Sequence, residues 1–168
     1  MIETLIELIA LLVPIENKDD REGFIKVTDR LDSIINDNTL NSSSGLYGIK
    51  DRKHPDYKTL VILDILRDGY ISHYDESFNN EHLWGTLSAL LTTYGQNDYR
   101  KNLSFELYDN PKINYTIENS SMAFSQSNYL VYGIEIQNFK AIGIIDSDKF
   151  ENLKSIMEKL NIEIQEMK

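Results

Sequence analysis

The sequence predicts an α+β fold, with an N-terminal helical bundle half followed by a small antiparallel sheet with one C-terminal helix. Apolar residues recur at helical spacing through the first part of the chain, and β-branched and aromatic residues dominate from Leu103 onward. The 168 residues are 41% hydrophobic, which suffices for a core in one ordinary domain or two small ones. We divide the chain into residues 1–98 and 99–168, with one shared core as the alternative.

The first predicted helix covers residues 2–13 and ends at Pro14, which cannot continue the helical hydrogen bonds. Its apolar stripe is broad, and only Glu3, Glu7 and Ala10 form a clear polar strip. A helix of this kind must bury most of its surface. We expect it to lie in the chain's own core, with contact to a second copy of the chain as the alternative.

Three further helices are predicted from apolar residues at helical spacing: residues 21–36, 56–67 and 79–94. Residues 36–48 are rich in Asn and Ser, which is typical of a loop. Pro55 and Gly69 suit the two ends of the middle helix, whereas a β-hairpin around Asp68 and Gly69 is the alternative.

The rest of the chain is predicted to form an antiparallel meander and one helix. Four segments have the composition of strands: residues 103–108, 113–118, 128–137 and 140–146. Ser147 or Asp148 is expected to cap a helix that runs to about Leu160, with Glu151 placed for a capping box. Residues 162–167 then form a last edge strand.

Composition limits the classes of function. The chain has no cysteine, which excludes disulfides and thiol chemistry and predicts a cytoplasmic protein. The apolar N-terminus is acidic where a signal peptide is basic and is too short to span a bilayer, so no membrane association is expected. No cofactor is expected, because phosphate-binding and nucleophile-elbow motifs are missing. The formal net charge of −10 argues against nucleic acid and favours solubility or a basic protein partner.

One stretch gathers two histidines and three carboxylates within ten residues: His73, Asp75, Glu76, Glu81 and His82. Imidazole and carboxylate ligands suit zinc or manganese. The stretch lacks the second histidine one turn away that a metalloprotease helix requires, and its carboxylates also suit the start of the next helix. A metal site made by His73, Asp75, Glu81 and His82 is therefore the alternative hypothesis.

Asp146 and Asp148 follow an apolar strand with the Asp-x-Asp spacing of magnesium phosphotransfer enzymes. Twenty residues follow Asp148, which are too few to supply the remaining strand–helix units of such a site. Helix capping explains both aspartates more simply.

Ten tyrosines and one tryptophan are the compositional feature best suited to binding, because their rings supply large rigid contacts with a polar tip. Four of the tyrosines fall in predicted strands: Tyr108, Tyr115, Tyr129 and Tyr132. Alternation along the strands would place several of them on one face and make a protein-binding surface. Strands also favour tyrosine for packing alone.

Three leucine-rich stretches are similar to the small helical effector-associated adaptor domains of bacterial conflict systems: residues 7–25, 60–71 and 82–96. Those domains likewise pair an N-terminal leucine-rich helix with an inner and a closing one. The resemblance is one of pattern, covers residues 1–98 and transfers no functional residue, and residues 99–168 resemble no family. It implies a protein that recruits another protein.

Our leading hypothesis is a non-enzymatic, acidic protein-binding protein of bacterial or phage origin, of the inhibitor, immunity or adaptor type. Small size, acidity, tyrosine-rich strands and the lack of catalytic motifs favour it. The alternative is a metal-dependent hydrolase or nuclease-like enzyme that uses the His/Asp/Glu cluster. A third hypothesis is a homo-oligomeric module that assembles through the first helix.

Overall fold

The computed structural model describes residues 1–36, 53, 55–67, 69–73, 80–93, 128–136 and 139–167. A short 3-10 turn, Ser147–Lys149, precedes the last helix. The described helices and strands follow in chain order: α1 (Ile2–Leu12), α2 (Lys18–Asp29), α3 (Leu31–Asn36), α4 (Tyr57–Leu66), β1 (Ile71–His73), α5 (Asn80–Thr93), β2 (Tyr129–Ile136), β3 (Phe139–Asp146), α6 (Phe150–Lys159) and β4 (Glu163–Glu166).

The four described strands form one antiparallel sheet in the order β1-β3-β2-β4. β2 and β3 pair along their whole length, with Tyr129 opposite Asp146 and Ile136 opposite Phe139. The predicted α+β class is therefore confirmed. β1 was not predicted, because three residues are too few to display an alternating pattern.

The sheet lies between two layers of helices. Residues of α1, α4 and α6 form one buried cluster with the face of the sheet that carries Tyr132 and Phe139. Leucines of α5 form a second cluster on the opposite face, with Val131 and Ile142. Residues from before position 98 and after position 99 contribute to both clusters. The proposed boundary itself lies outside the described residues and stays a prediction.

α1 is buried within its own chain. Leu5, Leu8, Ile9 and Leu12 are fully buried, whereas the predicted polar strip of Glu3, Glu7 and Ala10 is exposed. The apolar side of α1 is therefore used inside the chain, and the prediction of a core helix is confirmed. No helix in the described part of the chain combines the length and apolar character that crossing a membrane requires.

The helix predicted at residues 21–36 is two helices. α2 begins at Lys18 and ends at Asp29, and the backbone N–H of Arg30 donates to the carbonyl of Val27, which tightens the last turn before α3 begins at Leu31. Leu31 is fully buried in the main cluster.

The middle helix is confirmed over Tyr57–Leu66, and the alternative hairpin is wrong. The backbone N–H of Tyr70 donates to the Leu66 carbonyl at 2.9 Å, and the chain then enters β1, which pairs with β3. The helix predicted at residues 79–94 is also confirmed, as α5 (Asn80–Thr93).

The last helix and edge strand are confirmed, but the predicted capping box is wrong. Among the described residues, neither Asp146 nor Lys149 caps the start of α6 through its side chain, and a 3-10 turn leads into the helix instead. The predicted inward residues of this helix are all buried: Phe150, Leu153, Ile156, Met157 and Leu160. The predicted strands at residues 103–108 and 113–118 and the loop at 37–48 lie outside the described residues.

Replacing Gly23 with alanine is expected to stabilise the protein by about 0.5–1 kcal/mol, because glycine inside a helix loses more conformational entropy on folding than alanine does. Gly23 lies within α2, and an added Cβ would meet no atom within 4 Å. Urea denaturation checks this change, and an unchanged or lower midpoint would contradict it.

Candidate binding surface

The tyrosines of β2 lie on opposite faces of the sheet. Tyr129 and Tyr132 are three positions apart, and side chains alternate along a strand. Tyr132 is fully buried in the main cluster, whereas Tyr129 is partly buried against the α5 cluster. The structure thus corrects the placement of Tyr132 on an exposed face, because its ring belongs to the core. Tyr108 and Tyr115 lie outside the described residues.

The predicted metal ligands are only partly described. His73 is partly buried at the end of β1, and His82 is exposed on α5. Asp75 lies outside the described residues, and of Glu81 only the backbone position in α5 is described. Within the described ranges, no three His, Cys, Asp or Glu side chains lie together as a metal site requires. The metal-dependent enzyme stays a hypothesis.

Asp146 and Asp148 lie where β3 passes into the 3-10 turn. The Lys149 ammonium donates a hydrogen bond to Asp146 Oδ2, and this bond raises the pKa of Lys149. Neither aspartate caps α6 through its side chain. The ion pair therefore gives Asp146 a local structural partner, and Asp148 is exposed.

A polar network that the sequence did not reveal is centred on Tyr70. Its hydroxyl donates to Asp20 Oδ2 at 2.6 Å and accepts from Asn17 Nδ2 at 2.9 Å. Asn17 Nδ2 also donates to the carbonyl of Thr93 at 3.2 Å, so the network joins the start of α2, the entry to β1 and the end of α5. Burial, followed by the bond to Asp20, raises the pKa of Tyr70 to about 12. A phenol held neutral in this way favours a structural role over a catalytic one.

A surface groove of about 470 Å³ lies between α6 and β4. Six residues line it: Lys154, Glu158, Asn161, Ile162, Glu163 and Ile164. Asn161 has a φ of 57°, a left-handed conformation that asparagine tolerates better than most residues, and it turns the chain from α6 into β4. Leu160 and Ile162, on either side of Asn161, are buried, so their side chains hold the turn against the core.

The surroundings of the groove are acidic. Glu158, Glu163 and Glu166 are exposed, and none of these three carboxylates forms an ion pair among the described residues. Glu135 on β2 lies directly opposite Glu163, so two like charges meet across the strands. Lys140 is 3.9 Å from Glu135 and offsets only part of this charge. The groove therefore carries excess negative charge, with Lys154 as the one cation among its lining residues.

Comparisons of the chain with protein-family models, curated proteins and solved structures find no match. The resemblance of residues 1–98 to effector-associated adaptor domains stays a prediction.

Proposed function

We propose that this chain is a non-enzymatic, acidic protein-binding protein of the inhibitor, immunity or adaptor type, which acts in the cytoplasm by occluding or recruiting a basic protein. The observation that carries the proposal is the groove between α6 and β4 together with the adjoining end of β4. Glu158 and Glu163 line the groove and Glu166 lies further along the strand, and these three exposed glutamates form no ion pair within the described part of the chain. A concave surface with an excess of one sign of charge concentrates ligands of the opposite sign and speeds their association.

The arrangement of these carboxylates suits a polypeptide better than a single ion. Glu158 lies on a helix, whereas Glu163 and Glu166 lie on a strand, so the charge is spread along two elements. No described acidic residues converge on one point as metal ligands do. Lysine or arginine side chains spaced along a partner chain would each pair with one of these carboxylates.

Reversing the charge of the groove is expected to release the partner. We would compare two variants in affinity capture from a bacterial lysate, one with Glu158→Lys, Glu163→Lys and Glu166→Lys and one with Glu16→Lys, Asp19→Lys and Asp29→Lys. Both sets of positions are exposed, and both variants change the net charge equally. Loss of three exposed charge contacts is expected to weaken binding about tenfold or more for the groove variant alone.

The unmodified protein should retain a basic partner at low salt and lose it at high salt, because exposed charge pairs are screened. Matching melting temperatures would show that both variants are folded. If both variants retain the partner equally, the groove is not the binding surface. If no basic protein is captured at low salt, the proposed function is wrong.

A further inference from the structure

We infer that β4 binds an extended, basic segment of the partner as a fifth strand of the sheet. The inference rests on the proposed function and specifies how the partner is held. β4 ends the strand order β1-β3-β2-β4, so in the described part of the chain only one of its sides is paired. An open strand edge offers unpaired backbone donors and acceptors to another chain, a recurring mode of peptide recognition.

The register of the ladder identifies the groups that face outward. The N–H of Met167 donates to the carbonyl of Val131 at 3.0 Å, so this pair is bonded across β2 and β4. Bonded pairs alternate with non-bonded pairs in an antiparallel ladder. The N–H and C=O groups of Ile164 and Glu166, which lie opposite Ile134 and Tyr132, therefore point away from β2.

The opposite side of β2 supports this assignment. The N–H of Ser147 donates to the carbonyl of Asn128 at 2.6 Å, which places even-numbered β2 residues in bonded pairs with β3. The odd-numbered residues of β2 are then the ones bonded to β4, as the pair of Val131 and Met167 requires. At the entry to β4, the N–H of Ile162 is already bonded to Met157 at 2.9 Å. The outward groups of the strand therefore begin at Ile164.

Charge complementarity indicates which kind of chain binds along the unpaired side of β4. Glu163 and Glu166 are three positions apart and therefore lie on opposite faces of β4, with Glu158 on the neighbouring helix, and all three are exposed. Lysine or arginine on one face of an added strand would gain a favourable contact with Glu163, and on the other face with Glu166. A second copy of β4 would instead bring glutamates opposite glutamates, which is destabilising. Residues 94–127 of the same chain carry four acidic and three basic residues, so their net charge is not basic.

The first experiment removes one outward donor. Glu166→Pro deletes an N–H that points away from β2, so the β2–β4 ladder is spared, and Glu166→Ala is the matched control that loses the same carboxylate. The probe is a blocked six-residue peptide of alternating lysine and valine, titrated into the full chain and followed by amide NMR. Loss of one backbone hydrogen bond is expected to weaken binding about fivefold to tenfold in Glu166→Pro relative to Glu166→Ala. Exchange of the Ile164 amide hydrogen is expected to slow when the peptide binds to the unmodified protein.

A second experiment leaves the protein unchanged. Two further peptides carry N-methyl groups, one on every lysine and the other on every valine. Only alternate residues of an added strand direct their N–H groups to β4, so one peptide is expected to bind about tenfold more weakly than the parent and the other almost as well. This asymmetry does not depend on whether Glu166→Pro folds.

Equal binding of the parent and both N-methylated peptides would overturn strand addition while leaving a charge-driven protein contact in place. Failure of the parent peptide to bind at low salt would likewise overturn it. Both results concern only strand addition. The proposed function would instead be contradicted if lysate capture yielded no basic partner, or if the groove variant retained that partner as well as the control variant does.

Discussion

Replacing Gly143 with alanine is expected to lower the free energy of unfolding by about 3 kcal/mol or more, because the new methyl group would collide with a core ring. A Cβ at this position would lie 2.3 Å from both Cζ and Oη of Tyr132. Tyr132 is directly opposite Gly143 across β2 and β3 and is fully buried. Its ring therefore cannot move without displacing other core side chains.

Gly133 provides a matched control on the neighbouring strand. A Cβ there would lie 2.8 Å from Sδ of Met167, the end of a flexible side chain, so Gly133→Ala is expected to cost less than about 1.5 kcal/mol. Urea denaturation with an unchanged m value would measure both variants. Similar losses for the two alanines would contradict the proposed collision.

A double variant tests the mechanism of the Gly143 effect. Tyr132→Leu removes the ring and alone costs the stability of a large-to-small core change, about 2–4 kcal/mol. In its presence the alanine at Gly143 has space, so the double variant is expected to be about 1–3 kcal/mol more stable than the sum of the single changes predicts. Additive losses would mean that the alanine acts through something other than Tyr132.

The spacing of apolar residues within a single helix predicted which side of that helix is buried. The exposed strip of α1 and the inward residues of α6 follow from helical spacing, and the structure places them as predicted. The edge strand after α6 was also predicted, since residues 162–167 have a clear alternation. In these cases the side that faces the core is fixed by the element's own pattern.

Features that depend on pairing between distant segments were not predictable from one sequence. β1 exists because Ile71–His73 lies against Ala141–Gly143 of β3, some seventy positions away in the chain. The charge of the groove depends likewise on register, which sets Glu163 opposite Glu135. Composition alone suggested a tyrosine face, but the odd spacing of Tyr129 and Tyr132 places their rings on opposite sides of β2.

Replacing Tyr70 with phenylalanine is expected to lower the free energy of unfolding by about 1–2 kcal/mol at neutral pH, because its hydroxyl makes two hydrogen bonds, one to a carboxylate. The ring would keep its edge-on contact with Phe24, whose centroid is 5.8 Å away, so the loss belongs to the hydroxyl. Asp20 is exposed and regains water, which keeps the cost moderate. Thermal or urea unfolding would measure the change, and Tyr57→Phe, another buried tyrosine, is the control.

The stability gap between the unmodified protein and Tyr70→Phe is expected to shrink in strong base. The pKa of Tyr70 is raised to about 12 in the folded protein, whereas the unfolded chain has the ordinary value of about 10. The unfolded state therefore loses this proton first, and stability from Tyr70 is complete below about pH 10 and falls as the pH rises toward 12. Tyr70→Phe lacks this proton but keeps the other nine tyrosines of the ten, so the difference between the two proteins isolates Tyr70. A gap that stays constant from about pH 9 to about pH 11 would show that the hydroxyl is not held neutral by the fold.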